Sequence, residues 1–287
     1  MSFNEKYSLI LNNIAEEIKN IDSLLVSLID IKETKLQNEL INFLTSPSKR
    51  IRSVVTILYL KANDITLTQQ HYKLLAAVEL MHNASLIHDD IIDESKKRRN
   101  QETLNSKFGN KIAVISGDYI LSKALKYLSE LDSAETIAIF ADTLSFMCEG
   151  ETFQYFHKFE IPTLENYIKK TEQKTAKLFQ SVLETALIIS KISPSMQASE
   201  FGKNFGIAFQ IRDDIINIKT TKTDINDGIY NAPLIFATNK NDLKSGVEKT
   251  YCLLNTYVDK AKNNLDILQD NRYKQLLIEL LGLLENE

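Results

Sequence analysis

His88-Asp89-Asp90-Ile91-Ile92-Asp93 is the stretch on which the reading of this chain turns. Two adjacent carboxylates are followed, past two isoleucines, by a third acid four residues after the first. On an α-helix, residues i and i+4 stand one above the other, so Asp89 and Asp93 offer oxygens to one point in space. The isoleucines anchor the rest of the turn in a core. A second stretch far downstream, Gln210-Ile211-Arg212-Asp213-Asp214-Ile215-Ile216-Asn217, repeats the pattern with an amide in the last place. Two acidic helix ends facing each other would repel unless a cation lay between them.

Helical periodicity surrounds both stretches. Ile10, Ile14, Ile18, Ile21, Leu25 and Leu28 step by three or four residues and predict one amphipathic helix near the N-terminus. A break at Thr45-Ser46-Pro47-Ser48 precedes Lys49-Arg50-Ile51-Arg52 and an apolar run to Leu60. Asn63-Asp64 then separates that run from a long helix beginning near Thr66 and ending in the first acidic cluster. Residues 94–109 read as charged and irregular. Asp132 or Ser133, with Glu135 close behind, reads as a helix cap, and Ser193-Pro194 as a capping hydroxyl before a first-turn proline. Leu183–Ile192 lacks a polar face and is expected to be central. The last two helices are expected at 242–268 and 272–286. No Pro-, Gly- or Ser-rich linker divides the chain and no repeat recurs, so the expectation is one all-α domain over residues 1–287 with about ten or more helices.

Composition narrows the classes. The 287 residues are 44% hydrophobic and 25% charged, with only 8 Gly and 4 Pro, too few for a many-stranded β protein. A net charge of −4 leaves no broad basic surface and argues against nucleic acid as a partner. Cys148 and Cys252 lack metal-ligand spacing and are expected to be buried, reduced thiols. No apolar run reaches the roughly 18–20 residues that cross a bilayer. Glu5, Lys6, Glu16 and Glu17 make the N-terminus unlike a signal peptide. A cytoplasmic protein is expected.

The chemistry lies in the polar residues around the two clusters. His82 stands before Asp89, and Arg98-Arg99 follow Asp93. Lys49 and Arg52 lie upstream, Lys174-Thr175 and Phe209-Gln210 downstream. Hard carboxylate oxygens that leave room for water and phosphate suit Mg²⁺, and Arg and Lys grip the oxygens the metal leaves free. The pattern predicts a metal-bridged diphosphate. In this combination and order, from Lys49 to about Phe236, the chain resembles the all-trans polyprenyl diphosphate synthases. Their first motif, Asp-Asp-x-x-Asp followed by an Arg pair, is matched by Asp89-Asp90-Ile91-Ile92-Asp93 and Arg98-Arg99.

The resemblance implies the isoprenoid-synthase fold, a helical bundle around a deep central cavity, as a homodimer. It implies that Asp89 and Asp93 ligate Mg²⁺ with Asp90 in the outer shell, and that Asp213, helped by Asp214, holds a further Mg²⁺. Arg98, Lys174 and Gln210 match contacts to the allylic diphosphate, and Thr175 a residue beside the developing cation. Lys49, Arg52, His82 and Arg99 match the grip on isopentenyl diphosphate. The implied reaction ionises the allylic C–O bond, adds the isopentenyl double bond to the cation and loses a proton. Ala84 and Ser85, one turn before Asp89, are small where aromatic residues in the family give short products. With no insertion between Asp90 and Asp93, this implies a long chain, hexaprenyl to octaprenyl, and Ala84→Phe should shorten it. Release of such a product allows peripheral membrane contact.

Three departures from the family pattern stand out. Asn217 replaces an Asp, Gly228-Ile229 replaces Gly-Lys ahead of Pro233-Leu234, and Pro47-Ser48 replaces the glycines before Lys49. Lys219 or Lys222 is a candidate substitute for the missing lysine. Phe153, Phe156 and Phe159, at helical spacing, are expected in a core or interface rather than in a cation-lining wall. Other readings are a farnesyl or geranylgeranyl (short-chain) synthase, a terpene cyclase, and a non-catalytic subunit of a heteromeric synthase. A metal-dependent phosphohydrolase built on His88-Asp89 would draw on His71, His82 and His157. The cyclase has no use for Lys49, Arg52, His82 and Arg99, and the hydrolase leaves Arg98-Arg99 and the second cluster unexplained.

Overall fold

The computed structural model describes residues 3–99, 101–221, 223–237 and 242–285. Among them run α1 (Phe3–Asn12), α2 (Ala15–Ser27), α3 (Thr34–Thr45), α4 (Ile51–Ala62) and α5 (Gln69–Ile92). After a two-stranded antiparallel hairpin, β1 (Lys97–Arg98) and β2 (Gln101–Glu102), come α6 (Leu104–Phe108), α7 (Asn110–Ser129), α8 (Ala134–Phe156) and α9 (Leu164–Thr171). A single π-helical turn, Glu172–Ala176, leads into α10 (Lys177–Ile189). Then follow α11 (Met196–Lys219), α12 (Thr223–Asn226), α13 (Ala232–Phe236), α14 (Leu243–Asn263) and α15 (Arg272–Glu285). The architecture is all-α, as the sequence predicts.

The chain packs as two units. The first comprises residues 14–57 and 66–137, and its axis is α5, with α7 along it and α2 and α6 against it. α5 starts where Thr68 caps it, its backbone N–H donating to His71 Nδ1 at 3.0 Å. Leu74 to Leu80 are buried without a break. Gly117 of α7 faces His88, and a Cβ at that position would collide with the imidazole.

The second unit comprises residues 1–13, 58–65 and 138–287. Here α11 is the axis, flanked by α10 and α14. Phe201 and Phe205 are fully buried, stacking on Tyr59 (5.3 Å) and tilted against Phe179 (5.4 Å). Each such ring contributes about 1.5–3 kcal/mol by leaving water.

Several local expectations change. The N-terminal stripe is split at Asn13 and Ile14 into α1 and α2, because Ile14 leaves the helical region (φ −137°) and Asn13 bonds back to the Leu9 carbonyl. The cap of α11 is Ser195, whose side chain accepts from the Ala198 N–H at 3.1 Å, two residues beyond the serine expected. Cys148 and Cys252 are exposed, since each falls on the outward stripe of its helix, α8 or α14. Phe153 is half-buried against His157, but Phe156 and Phe159 are 74% and 67% exposed, because the chain turns away after α8. They are not core. Leu183 and Leu187 are buried as expected, whereas Ile192 lies past the end of α10 and is exposed. Among the described residues, no helix is long and apolar enough to cross a membrane.

Candidate active site

In the first unit α5 stops where the acidic cluster begins to be used. The Asp93 N–H still donates to the Asp89 carbonyl at 2.8 Å, and the Ser95 N–H to that of Asp90 at 2.9 Å. Glu94 then takes a left-handed conformation (φ 50°) and turns the chain into the hairpin. That reversal brings Arg98 back, so that its Nε and Nη2 both lie 2.8 Å from Asp90 Oδ1. Asn105 Nδ2 ties the same turn by donating to the Asp90 and Ser95 carbonyls at 3.1 Å. Burial raises the Asp90 carboxyl above its usual range, against the pull of Arg98. Asp90 is buried under the cation, whereas Asp89 and Asp93 remain half-buried at the helix end. Arg98 thus finds its first partner inside the protein.

Four guanidinium groups converge on His82. Burial is the main reason its imidazole is held well below the usual pKa, and Arg52, Arg99, Arg98 and Arg50 reinforce it, so His82 is neutral at pH 7. Arg50 stands just before α4 with a left-handed backbone (φ 48°) and is consumed by structure. It donates to the Leu44 carbonyl at 2.6 Å and pairs with Asp22 (3.1 Å) and buried Glu79 (3.4 Å), which also accepts from Ser53. Arg52 is buried one step later, and Lys49 is half-buried. Cations crowded in this way form a seat for a polyanion. Ser85 shares the partly open stripe of α5 with His82 and Asp89, its hydroxyl on the His82 carbonyl at 2.9 Å. Ala84 lies on the buried side, 2% exposed.

The second cluster, in the other unit, is wired differently. Asp214 is buried, and both its oxygens accept hydrogen bonds, Oδ2 from Tyr167 Oη at 2.6 Å and Oδ1 from Gln210 Nε2 at 2.8 Å. Gln210 Oε1 in turn accepts from Thr175 Oγ1 at 2.9 Å. Thr175 and Lys174 sit on the π-helical turn, whose wider coil redirects side chains at a point where α11 comes very close. Gly206 permits that approach, since a Cβ there would lie 2.5 Å from Ala176 Cα. Lys174 forms a close ion pair with Glu151 of α8. Lys170 reaches Asn231 Oδ1 at 3.4 Å and stands over the Tyr167 ring. Asn217 donates to Asp224 Oδ1 at 2.9 Å, and Asn231 donates to Asp224 Oδ2.

Burial lifts the carboxyls of Asp214 and Asp224 to about 6 each, with Lys170 opposing the shift in both and the charge of Asp214 adding to that of Asp224. Burial also lowers the Lys170 ammonium and raises the Tyr167 phenol. Asp213 is different. Its side chain is 42% exposed, with Arg212 3.8 Å away.

The donors suit a hard divalent cation. Among the described residues no three His, Cys, Asp or Glu side chains gather tightly enough to enclose a metal alone. Mg²⁺ does not ask for that, since it is held by one or two carboxylates and keeps water and phosphate oxygens. Asp89, Asp93 and Asp213 meet this requirement as accessible carboxylates. Asp214, expected among the metal ligands, has both oxygens committed to Tyr167 and Gln210.

Comparison with known proteins bears on the same residues. The polyprenyl synthetase family model matches residues 33–268. The chain belongs to this family. A prenyl transferase of Cyanidium caldarium is 33% identical over 258 residues, 84% of this chain and 79% of that protein. A decaprenyl-diphosphate synthase of Dictyostelium discoideum is 32% identical over 266 residues, 81% of this chain and 58% of that protein. In fold, the chain matches a polyprenyl synthase from Caulobacter crescentus, solved with calcium and isoprenyl diphosphate. The TM-score is 0.87, with 22% identity and 98% of each chain covered. The sequence-based expectation of a long-chain polyprenyl synthase agrees with this family and these relatives.

For a polyprenyl synthetase, the residues missed from sequence are those that hold others. Arg50, Glu79, Glu151, Tyr167, Lys170 and Asp224 each serve a neighbour already singled out. A basic or acidic residue beside a motif gives no sign of whether it points to substrate or to the motif. Of the substitutes for the missing lysine, Lys219 is taken by the Tyr251 hydroxyl at 2.8 Å, and Lys222 lies outside the described residues. The four histidines do not form the hydrolase set: His71 caps α5, and His157 bonds to the Phe153 carbonyl.

Proposed function

We propose that the chain condenses isopentenyl diphosphate with an allylic prenyl diphosphate, in the presence of Mg²⁺, to give a hexaprenyl to octaprenyl diphosphate. The observation that carries this reading is the end of α5, where two half-buried carboxylates stand beside guanidinium groups crowded round a neutral imidazole. That is a place for an anion delivered with its own metal, the cations suiting phosphate oxygens and the carboxylates the metal.

Asp89, Asp93 and Asp213 are the residues to hold Mg²⁺. When bound, Mg²⁺ neutralises the diphosphate and makes it a competent leaving group. Lys49, Arg52 and Arg99 hold isopentenyl diphosphate, and neutral His82 contributes one N–H rather than another full charge. Arg98, fixed by Asp90, and Lys174, exchanging Glu151 for phosphate, grip the allylic diphosphate with Gln210. Thr175 presents its carbonyl and hydroxyl to the developing allylic cation. Charges already in place cost no reorganisation when the C–O bond breaks, which is why fixed partners such as Asp90 matter. Exclusion of water protects the cation. No protein nucleophile is required.

On this reading the protein works as one synthase domain, a cytoplasmic homodimer that touches the membrane only to release product. Outward apolar residues of α7, among them Ile115 at 60% exposure, support a covered face. The test is incubation of the purified chain with Mg²⁺, farnesyl diphosphate and isopentenyl diphosphate, followed by product chromatography. A ladder ending between hexaprenyl and octaprenyl is expected. No elongation by the isolated chain would favour a non-catalytic subunit, and phosphate release without elongation a hydrolase.

A further inference from the structure

A buried carboxylate is tolerated when a cation lies close and its oxygens are hydrogen-bonded. Asp214 satisfies the second condition through Tyr167 and Gln210. The first is met from α9. The Nζ of Lys170 lies 5.4 Å from the centroid of the Tyr167 ring, whose hydroxyl holds Asp214. The same Nζ lies 3.4 Å from Asn231 Oδ1, and the Nδ2 of that amide bonds Asp224. Asp224 also takes Asn217 Nδ2 at 2.9 Å, and its own N–H points to Asn217 Oδ1 at 3.4 Å. One ammonium therefore stands beside a hydrogen-bonding partner of each enclosed carboxylate, the Tyr167 ring for Asp214 and the Asn231 amide for Asp224.

The geometry has a consequence for Gln210. Its Nε2 can face Asp214 only while that carboxylate accepts, and only then is Oε1 left for the Thr175 hydroxyl. The orientation of one amide thus links the lysine of α9 to the threonine of the π-helical turn. Asp224 fits the same logic from the far side. An acid at position 217 would press a second carboxylate against it, whereas Asn217 supplies the donor it needs.

We infer that Lys170 and Asp224 are positioning residues for the reaction: the Lys170 ammonium, beside a hydrogen-bonding partner of Asp214 and of Asp224, fixes the amide of Gln210 and so the hydroxyl of Thr175. This rests on the proposed prenyl transfer, in which Gln210 and Thr175 face the allylic substrate. Lys170 itself touches no substrate in this scheme. Its removal should act on turnover more than on capture of isopentenyl diphosphate, whose residues lie elsewhere.

The variants are Lys170→Met, Asp224→Asn and the two combined, in the full chain. Lys170→Met should lower kcat by about 10- to 100-fold, as expected when a catalytic group is misplaced, with KM for isopentenyl diphosphate within about twofold. Combining it with Asp224→Asn removes opposite charges together and should recover at least about fivefold of the loss. The side-chain amide NMR signal of Gln210 should move in Lys170→Met and return toward wild type in the double variant. Unchanged kcat, or a lower melting temperature with kcat and the amide signal unmoved, would overturn the inference, as would purely additive single effects. If Lys170→Met does not fold, the charge-balanced double variant against Asp224→Asn carries the comparison. Should wild type make no prenyl product, the proposed function fails, yet the amide signal still reads the Lys170–Gln210 linkage.

Discussion

Gly206→Ala tests how far the second cluster depends on the close approach of α11 to the π-helical turn. An added Cβ would lie 2.5 Å from Ala176 Cα, 2.8 Å from Ala176 Cβ and 3.0 Å from Phe179 Cδ2, where ordinary contact begins at 3.4 Å. The nearest atom is backbone, so no side chain can swing aside. The two segments must part by roughly 1 Å, and the overpacking costs about 1–3 kcal/mol, of which up to ~1 kcal/mol is returned by the better helix propensity of alanine. The same separation would stretch the 2.9 Å Thr175–Gln210 hydrogen bond beyond useful length. A displacement of that size near the chemistry can lower turnover by about 100-fold. Urea denaturation and steady-state kcat read the two effects separately. Gly202→Ala, whose Cβ would come to 2.9 Å from Gln180 Cα, should be milder. Gly282→Ala in α15 meets nothing within 4 Å and should stabilise by about 0.5–1 kcal/mol. A Gly206→Ala protein as stable as wild type and turning over within about twofold of it would refute the claim that this contact sets the geometry of Thr175.

Three other outcomes are expected. Asp214 and Asp224 have carboxyls raised from 3.8 to about 6, so the folded chain keeps their protons where the unfolded chain has lost them. Their contribution is therefore greatest below about pH 4 and is lost as pH rises through 6. Denaturation midpoints of wild type and Asp224→Asn should diverge across that window, and parallel profiles would count against it. Because Asn217 and Asp224 touch, Asn217→Asp alone should destabilise through like charges, and Asn217→Asp with Asp224→Asn should restore the melting temperature; no restoration would mean that the contact is not electrostatic. Ser85→Phe, on the open stripe beneath Asp89, should shorten the prenyl product by chromatography, whereas Ala84→Phe, in a buried position, should first lower stability; an unchanged product from Ser85→Phe would remove that stripe from the tunnel wall.

What could be read in advance follows from physical range. Asp89, Asp93 and Asp213 could be proposed from sequence because paired acids followed one turn later by an acid or an amide form a local pattern. The fold class was legible because apolar residues recur every three or four positions almost throughout. Boundaries were less so. Ser193 and Ser195 are both competent caps, and the choice between them depends on how α11 meets α10, which no local pattern contains. The thiols of Cys148 and Cys252 were expected inside because cysteine is usually buried. Their helix faces, set by partners distant in sequence, put them outside.

The π-helical turn marks a deeper limit. Nothing in Glu172-Gln173-Lys174-Thr175-Ala176 departs from ordinary helical composition, yet the extra width of that turn decides where Lys174 and Thr175 point. Its sequence signature is not in the turn at all but in Gly206, thirty residues on, where α11 yields room. The same holds for Asn217, which looks like an acid lost until Asp224 is seen against it. Taken alone the amide weakens the cluster, but beside Asp224 it is the residue that lets a carboxylate from a different helix stand there. A motif read along the chain counts charges by position, whereas the folded site counts them by neighbourhood, and it is the second count that Lys170 completes.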